Sequence, residues 1–86
     1  MKVLIPSPLF SYTAGKSAVD AYGATLSAVL ADLERQFAGI RFRIVDEQER
    51  MRPHMRFFIN GEQTFDLRQP LHPTDSIQIV QALSGG

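Results

Sequence analysis

Leu26, Val29, Leu30, Leu33 and Phe37 recur at i, i+3, i+4, i+7 and i+11, one face of a 3.6-residue helical period. Thr25 stands in front of this stripe, where its hydroxyl can accept a bond from an orphan N–H of the first turn. Gly39 stands just past it, where a left-handed C′ residue is wanted. Asp32, Glu34, Arg35 and Gln36 fall on the polar side. A helix with one apolar face must lie on something flat and apolar. The rest of the chain has to supply that surface.

It does so as strands. Lys2-Val3-Leu4-Ile5 is short, β-branched and ended by Pro6. An irregular stretch through Pro8 and a loop over 11–15 lead to a weaker strand at Ser17–Ala21, so the two strands form a hairpin. Arg56-Phe57-Phe58-Ile59 is rich in β-formers. Asn60-Gly61 follows, and both residues tolerate φ > 0, which is a hairpin signal. Thr64–Leu67 is read as the return arm. Gln69–Asp75 is a proline-bounded loop, and Ser76–Ala82 is the last strand. Residues 40–55 are the least legible: 41–45 fits a short strand or one helical turn, and 46–52 is a charged surface segment. One helix covers one sheet face. A right-handed crossover places the first and last strands side by side, with Val3, Ile5, Val19, Ala21, Phe57, Ile59, Ile77 and Ile79 toward the helix. The fold class is α+β, a mixed four- to five-stranded sheet with one main helix.

Size limits what such a fold can do. An 86-residue chain makes one domain, and folding hides roughly 60–65% of its extended surface. That leaves little room for a deep catalytic cleft. Nine basic and nine acidic side chains cancel, so nothing in the balance calls for nucleic acid or an anionic membrane. There is no cysteine, hence no disulfide, thiolate nucleophile or zinc–thiolate site. The N-terminus reads poorly as a signal peptide, and the expected location is the cytoplasm.

The remaining candidates for chemistry are weak. Gly15-Lys16-Ser17 resembles the end of a P-loop, but Phe10 stands where its first glycine belongs, and the stretch lies between strands rather than before a helix. His54 and His72 lack partners at metal-ligand spacing. Asp75, near His72, is expected to serve a turn. Asp46, Glu47 and Glu49 have no apolar surroundings to raise a pKa and read as a solvated turn. Arg41, Arg43, Arg50, Arg52 and Arg56 form a local basic bias among phenylalanines, better suited to an acidic protein partner than to nucleic acid.

The chain ends Leu83-Ser84-Gly85-Gly86. Residues 1–82 are read as the domain and 83–86 as a flexible tail. Its last five residues reach about 17 Å when extended. Glycines offer no side chain to obstruct a narrow tunnel and take backbone conformations closed to other residues. The reactive group is then the Gly86 α-carboxylate, ionised at neutral pH. A carboxylate can attack the α-phosphate of ATP to form an acyl-adenylate, from which a sulfur or nitrogen nucleophile displaces AMP. No cofactor is expected on this chain. ATP and magnesium are to be supplied by a partner enzyme.

Taken together, the β-β-α-β-β order, Asn60-Gly61, the Thr74-Asp75-Ser76-Ile77 lead-in and the final Gly85-Gly86 resemble the ThiS/MoaD family of sulfur carriers, which have the ubiquitin-like β-grasp fold. Asp75 through Gly86 follows the family's D-x-V-x-I…GG ending, with Ile77 at the Val position. Thr74 replaces the usual glycine, and Gln81-Ala82 replaces the frequent prolines. The resemblance implies adenylation of Gly86 by a ThiF/MoeB-like, ubiquitin-activating-type enzyme. It implies conversion to a thiocarboxylate by a sulfur donor, and sulfur delivery to a biosynthetic acceptor enzyme. Such a chain is a protein cosubstrate and no enzyme, as in the small subunit of a molybdopterin-synthase-like complex. Length favours MoaD-like and cysteine-synthesis-type carriers over thiamine carriers, with the MoaD-like group preferred. The alternatives are a ubiquitin-like modifier joined to lysines through Gly86, and an inert β-grasp interaction module.

Alternation along the strands names a docking face. If Phe57, Ile59, Ile77 and Ile79 face inward, Phe58 and Val80 face out. With Leu83 and Ser84 at the root of the tail, they make the expected partner-binding surface.

Overall fold

The computed structural model describes residues 1–82. Strands β1 (Lys2–Leu4) and β2 (Ala18–Asp20) form the expected antiparallel pair, with Val3 opposite Val19. Helix α1 spans Leu26–Gln36 and the short helix α2 spans Ile40–Ile44. Strands β3 (Met55–Ile59), β4 (Glu62–Thr64) and β5 (Ser76–Gln81) complete one five-stranded sheet in the order β2-β1-β5-β3-β4. The chain leaves β2 through the helices and returns so that β5 runs parallel to β1, with Val3 opposite Ile77. β3 lies antiparallel on the far side of β5, with Phe57 opposite Ile79.

The helical stripe seats as its spacing requires. The Thr25 hydroxyl accepts the Ala28 N–H at 3.2 Å and starts the helix. Leu26, Val29, Leu30 and Leu33 share one core with Val3, Ile5, Ala21, Phe57, Ile77 and Ile79. Val19, Ile59 and Phe37 pack at its rim, half-buried. The polar side of α1 is used as well. Asp32 accepts the Tyr22 N–H at 3.0 Å, and the Gln36 amide donates to the Asp20 carbonyl at 2.9 Å. These bonds tie the helix to the exit of β2.

Three local expectations are corrected. Ser7–Tyr12, read as irregular and then loop, forms a 3₁₀ helix. Pro8 suits its first turn, where a missing N–H costs nothing, and Leu9 is buried beneath it. Gly39 is left-handed as expected (φ +95°) but does not cap α1, which ends at Phe37. Gly39 instead opens α2. There the Glu34 carboxylate accepts the Gly39 and Arg41 N–H groups at 2.8 and 2.9 Å. Ile40 and Ile44, four residues apart, are both buried, so 41–44 is helical and Val45 alone is extended. The return arm after Asn60-Gly61 is Glu62–Thr64, not Thr64–Leu67. With φ of 51° and 87° those two residues make a two-residue turn, so Ile59 must pair with Glu62. Phe65 lies beyond the strand, 70% exposed.

The lead-in to β5 is locked to that turn. The two carboxylate oxygens of Asp75 accept the Asn60 side-chain amide at 2.9 Å and the His72 backbone N–H at 2.8 Å. Asn60 Oδ1 accepts the Ser76 N–H at 3.0 Å, and the Asn60 N–H donates to the Ser76 carbonyl at 2.9 Å. Asp75 is buried. Its carboxyl is held below the ordinary aspartate value, first by the His72 N–H and then by the Asn60 amide.

Two outcomes are expected. Phe57→Ala removes the largest fully buried side chain and lowers stability in urea titration by about 3–5 kcal/mol. Asp75 has a depressed folded pKa, so its contribution is present above the unfolded value, near 3.8, and is lost as pH falls through the folded value. An amide offers one acceptor oxygen where the carboxylate offers two. Asp75→Asn therefore lowers the melting temperature near neutral pH and shrinks the further loss seen on acidification, measured by circular dichroism across the acid limb.

Candidate functional site

β5 is the middle strand of the sheet, flanked by β1 and β3. β1 pairs with its first half, Ser76 to Gln78, and β3 runs along it to the end, so its last residues are held by β3. Gln81 is opposite Met55, and the Ala82 N–H donates to the His54 carbonyl at 2.7 Å. Backbone pairing thus continues to the last described residue. Leu83, Ser84, Gly85 and Gly86, four of the expected site residues, lie outside the described residues. What the structure places is the foot on which they stand.

The other two expected residues are on the page, and they share a face. Phe57, Ile77 and Ile79 are buried on the helix side, so Phe58 and Val80 turn to the open side, each half-buried. Val80 is opposite Arg56, and Phe58 is opposite Gln78. Phe58 and Val80 are then diagonal neighbours, roughly 7–8 Å apart by sheet geometry. Leu4, half-buried, is also opposite Gln78 on its other side. A band of Leu4, Gln78 and Phe58 crosses three strands, with Val80 stepping from it toward the tail. Gln78 was missed as a member of this face, between Leu4 and Phe58. The signal existed: Ile77 and Ile79 face in, so Gln78 must face out. Its position beside Leu4 needed the parallel pairing.

At the foot of the tail, Phe42, Arg43, Arg52, His54 and Gln81 line a cavity of about 250 Å³. Arg52 lies over the Phe42 ring, 4.6 Å from its centroid, and its Nε–H donates to the Phe42 carbonyl at 2.7 Å. Arg56 donates to the Pro53 and Met55 carbonyls. Two arginines of the basic bias, Arg43 and Arg52, are therefore brought next to Gln81.

Elsewhere the charged groups do structural work. Gly15-Lys16-Ser17 leads into β2, without a following helix. Asp46 folds its own turn by accepting the Gln48 and Arg50 N–H groups at 2.9 and 3.0 Å. Asp75 binds the His72 backbone rather than its imidazole. Asp32 is lowered first by its bond from Arg35, Glu34 first by the Gly39 N–H, Asp46 first by the Arg50 N–H and Asp66 first by the Arg68 N–H. Every resolved carboxyl shift is downward, the direction of a structural acceptor and opposite to that of a general acid. Among the described residues no three of His, Cys, Asp or Glu gather as a metal site. The cavity of about 580 Å³ beside Phe65 is lined by one hydroxyl, Ser27, and no histidine. Among the described residues no helix is long and apolar enough to cross a membrane.

Known proteins share this architecture throughout. The model of the ThiS family matches residues 3–86. The sulfur carrier protein CysO of Mycobacterium tuberculosis is 34% identical over 89 aligned residues, covering 98% of this chain and 96% of its own. A chain in the crystal structure of the Amycolatopsis orientalis BexX/CysO complex superposes with a TM-score of 0.90 at 32% identity, over 99% of this chain and 98% of that one. The small archaeal modifier protein 1 of Methanosarcina acetivorans shares the fold, with a TM-score of 0.80 at 24% identity over 99% of this chain and 94% of that one. The common architecture is the ubiquitin-like β-grasp. Sulfur carriers of this kind are small carrier proteins and not enzymes. Matched from Val3 to Gly86 by the family's model, and at about a third identity by carriers of its own length, this chain belongs to the ThiS family.

Proposed function

We propose that this protein is a sulfur carrier whose working group is the α-carboxylate of Gly86. One observation carries the reading: the middle strand of the sheet delivers the Leu83-Ser84-Gly85-Gly86 segment, with backbone pairing maintained to Ala82. The likeness to CysO carriers over nearly their whole length supports it. In this reading the carboxylate attacks the α-phosphate of ATP at a ThiF/MoeB-like partner, which supplies ATP and magnesium. Pyrophosphate leaves, and the carboxylate becomes an acyl-adenylate. A sulfur donor then displaces AMP, leaving a thiocarboxylate in which one carboxyl oxygen is replaced by sulfur. The partner provides the phosphate-binding and metal chemistry; this chain provides the acyl group and its presentation.

The open face supports docking. Phe58, Val80 and Leu4 are the apolar members of this face, so a partner gripping them lies against the strand that leads to the chain's end. A biosynthetic acceptor enzyme of cysteine or molybdopterin type then takes the sulfur. The likeness to CysO carriers favours the cysteine-synthesis type. A ubiquitin-like modifier would use the same activated Gly86, and its mark is a Gly-Gly remnant on partner lysines.

Intact-mass measurement after co-expression with a ubiquitin-activating-type enzyme and a sulfur source is expected to show a gain equal to replacing one oxygen by sulfur. An unchanged mass with every such enzyme overturns the proposal. In ATP–pyrophosphate exchange, Gly85→Val is expected to retain the fold and abolish exchange, because a β-branched side chain obstructs a narrow channel. Phe58→Ser is expected to raise the KM for the carrier with kcat largely kept. Wild-type exchange by Gly85→Val removes the argument from slenderness.

A further inference from the structure

The arginines divide into two groups. Arg35, Arg41, Arg50 and Arg68 pair with Asp32, Glu49, Asp46 and Asp66. Among the described residues, Arg43, Arg52 and Arg56 make no ion pair, and all three lie beside the last residues of β5. Arg43 and Arg52 line the cavity against Gln81, and Arg56 stands opposite Val80. Arg43 is exposed. Arg52 acts on Asp46 at longer range, but that carboxylate is already held by Arg50. A chain of zero formal charge thus concentrates uncompensated positive charge beside the foot of its tail.

We infer that Arg43, Arg52 and Arg56 form a cationic collar that docks on an acidic surface of the enzyme that activates the tail. This rests on the reading of the chain as an activated carrier. The guanidinium fork suits carboxylates, which it can bind bidentately. Arg52 is preorganised by Phe42 and the Phe42 carbonyl, so less side-chain entropy is lost on pairing. Arg56 links the collar to the open sheet face, because Arg56 and Val80 are cross-strand neighbours. A partner that covers Phe58 and Val80 therefore meets Arg56 next, and reaches Arg43 and Arg52 around the end of β5, where they line the cavity with Gln81. Apolar contact supplies grip, and the charges supply orientation and encounter rate. Nucleic acid is the weaker occupant. Polynucleotide affinity grows with the number of phosphates neutralised along a track, and here the positive charge is a single compact cluster.

The test uses steady-state ATP–pyrophosphate exchange with the enzyme that adenylates the wild-type protein. Arg43→Glu is compared with Arg35→Glu, an equal charge change at a guanidinium that pairs with Asp32 and does not line the Gln81 cavity. At low salt Arg43→Glu is expected to raise the KM for the carrier on the order of tenfold, with kcat unchanged, and the difference is expected to shrink toward about 0.5 M salt. Arg43→Gln should fall between the two. Arg35→Glu should stay near the wild type. Circular dichroism melting checks that each variant is folded. The collar is overturned if Arg43→Glu keeps the wild-type KM at low salt, or if Arg35→Glu raises it equally. It is also overturned if a single-stranded oligonucleotide binds the wild type and not Arg43→Glu. If the wild type supports no exchange with any ubiquitin-activating-type enzyme, the carrier reading fails first and the collar falls with it.

Discussion

One helix can cover only one face of a sheet. In this molecule the stripe Leu26, Val29, Leu30 and Leu33 is committed to the inner face, where it meets Val3, Phe57, Ile77 and Ile79. Burying a side chain of this size is worth about 1.5–3 kcal/mol, and backbone ordering opposes that gain across the whole chain. A domain this small has no second layer to spend on the outer face. The open face, with Leu4, Phe58 and Val80 half-buried on it, is thus a consequence of the core.

The same economy suits the chemistry proposed for the chain's end. A site needs a supporting shell to hold catalytic groups in geometry. In this chain the carboxylates are occupied in building turns and helix junctions: Glu34 for α2, Asp46 for its own turn, Asp75 for the lead-in to β5. A backbone carboxylate needs no shell. It needs a slender tether and a rigid foot. β5 supplies the foot: β1 holds its first half, β3 pairs with it through Gln81, and the Asp75–Asn60 bonds fix where that strand begins.

Helix α2 has a role beyond closing the core. By burying Ile40 and Ile44 it turns Arg43 outward and brings Phe42 under Arg52. A packing decision in the least regular part of the chain thereby places charge beside the tail. The apolar face and the charged cluster approach the end of β5 from its two sides.

Much of this was legible in the linear sequence. The helix, its threonine cap, the Asn-Gly turn and the inward residues follow from local periodicity and from backbone conformations that few residue types tolerate. The Gly-Gly ending is likewise a property of residue type and order. The exact return arm was not legible, because Thr64-Phe65-Asp66-Leu67 alternates well enough to pass for a strand; the two-residue turn chose Glu62 instead. The 3₁₀ helix and α2 were missed or left open because short apolar spacing fits either periodicity until burial decides. What only the tertiary structure settled is which distant residues become neighbours. That Gln78 stands between Leu4 and Phe58, and that Arg43 and Arg52 flank Gln81, depend on β1–β5–β3 pairing and on α2 packing. These are contacts between segments far apart in the chain, and local periodicity carries no information about them.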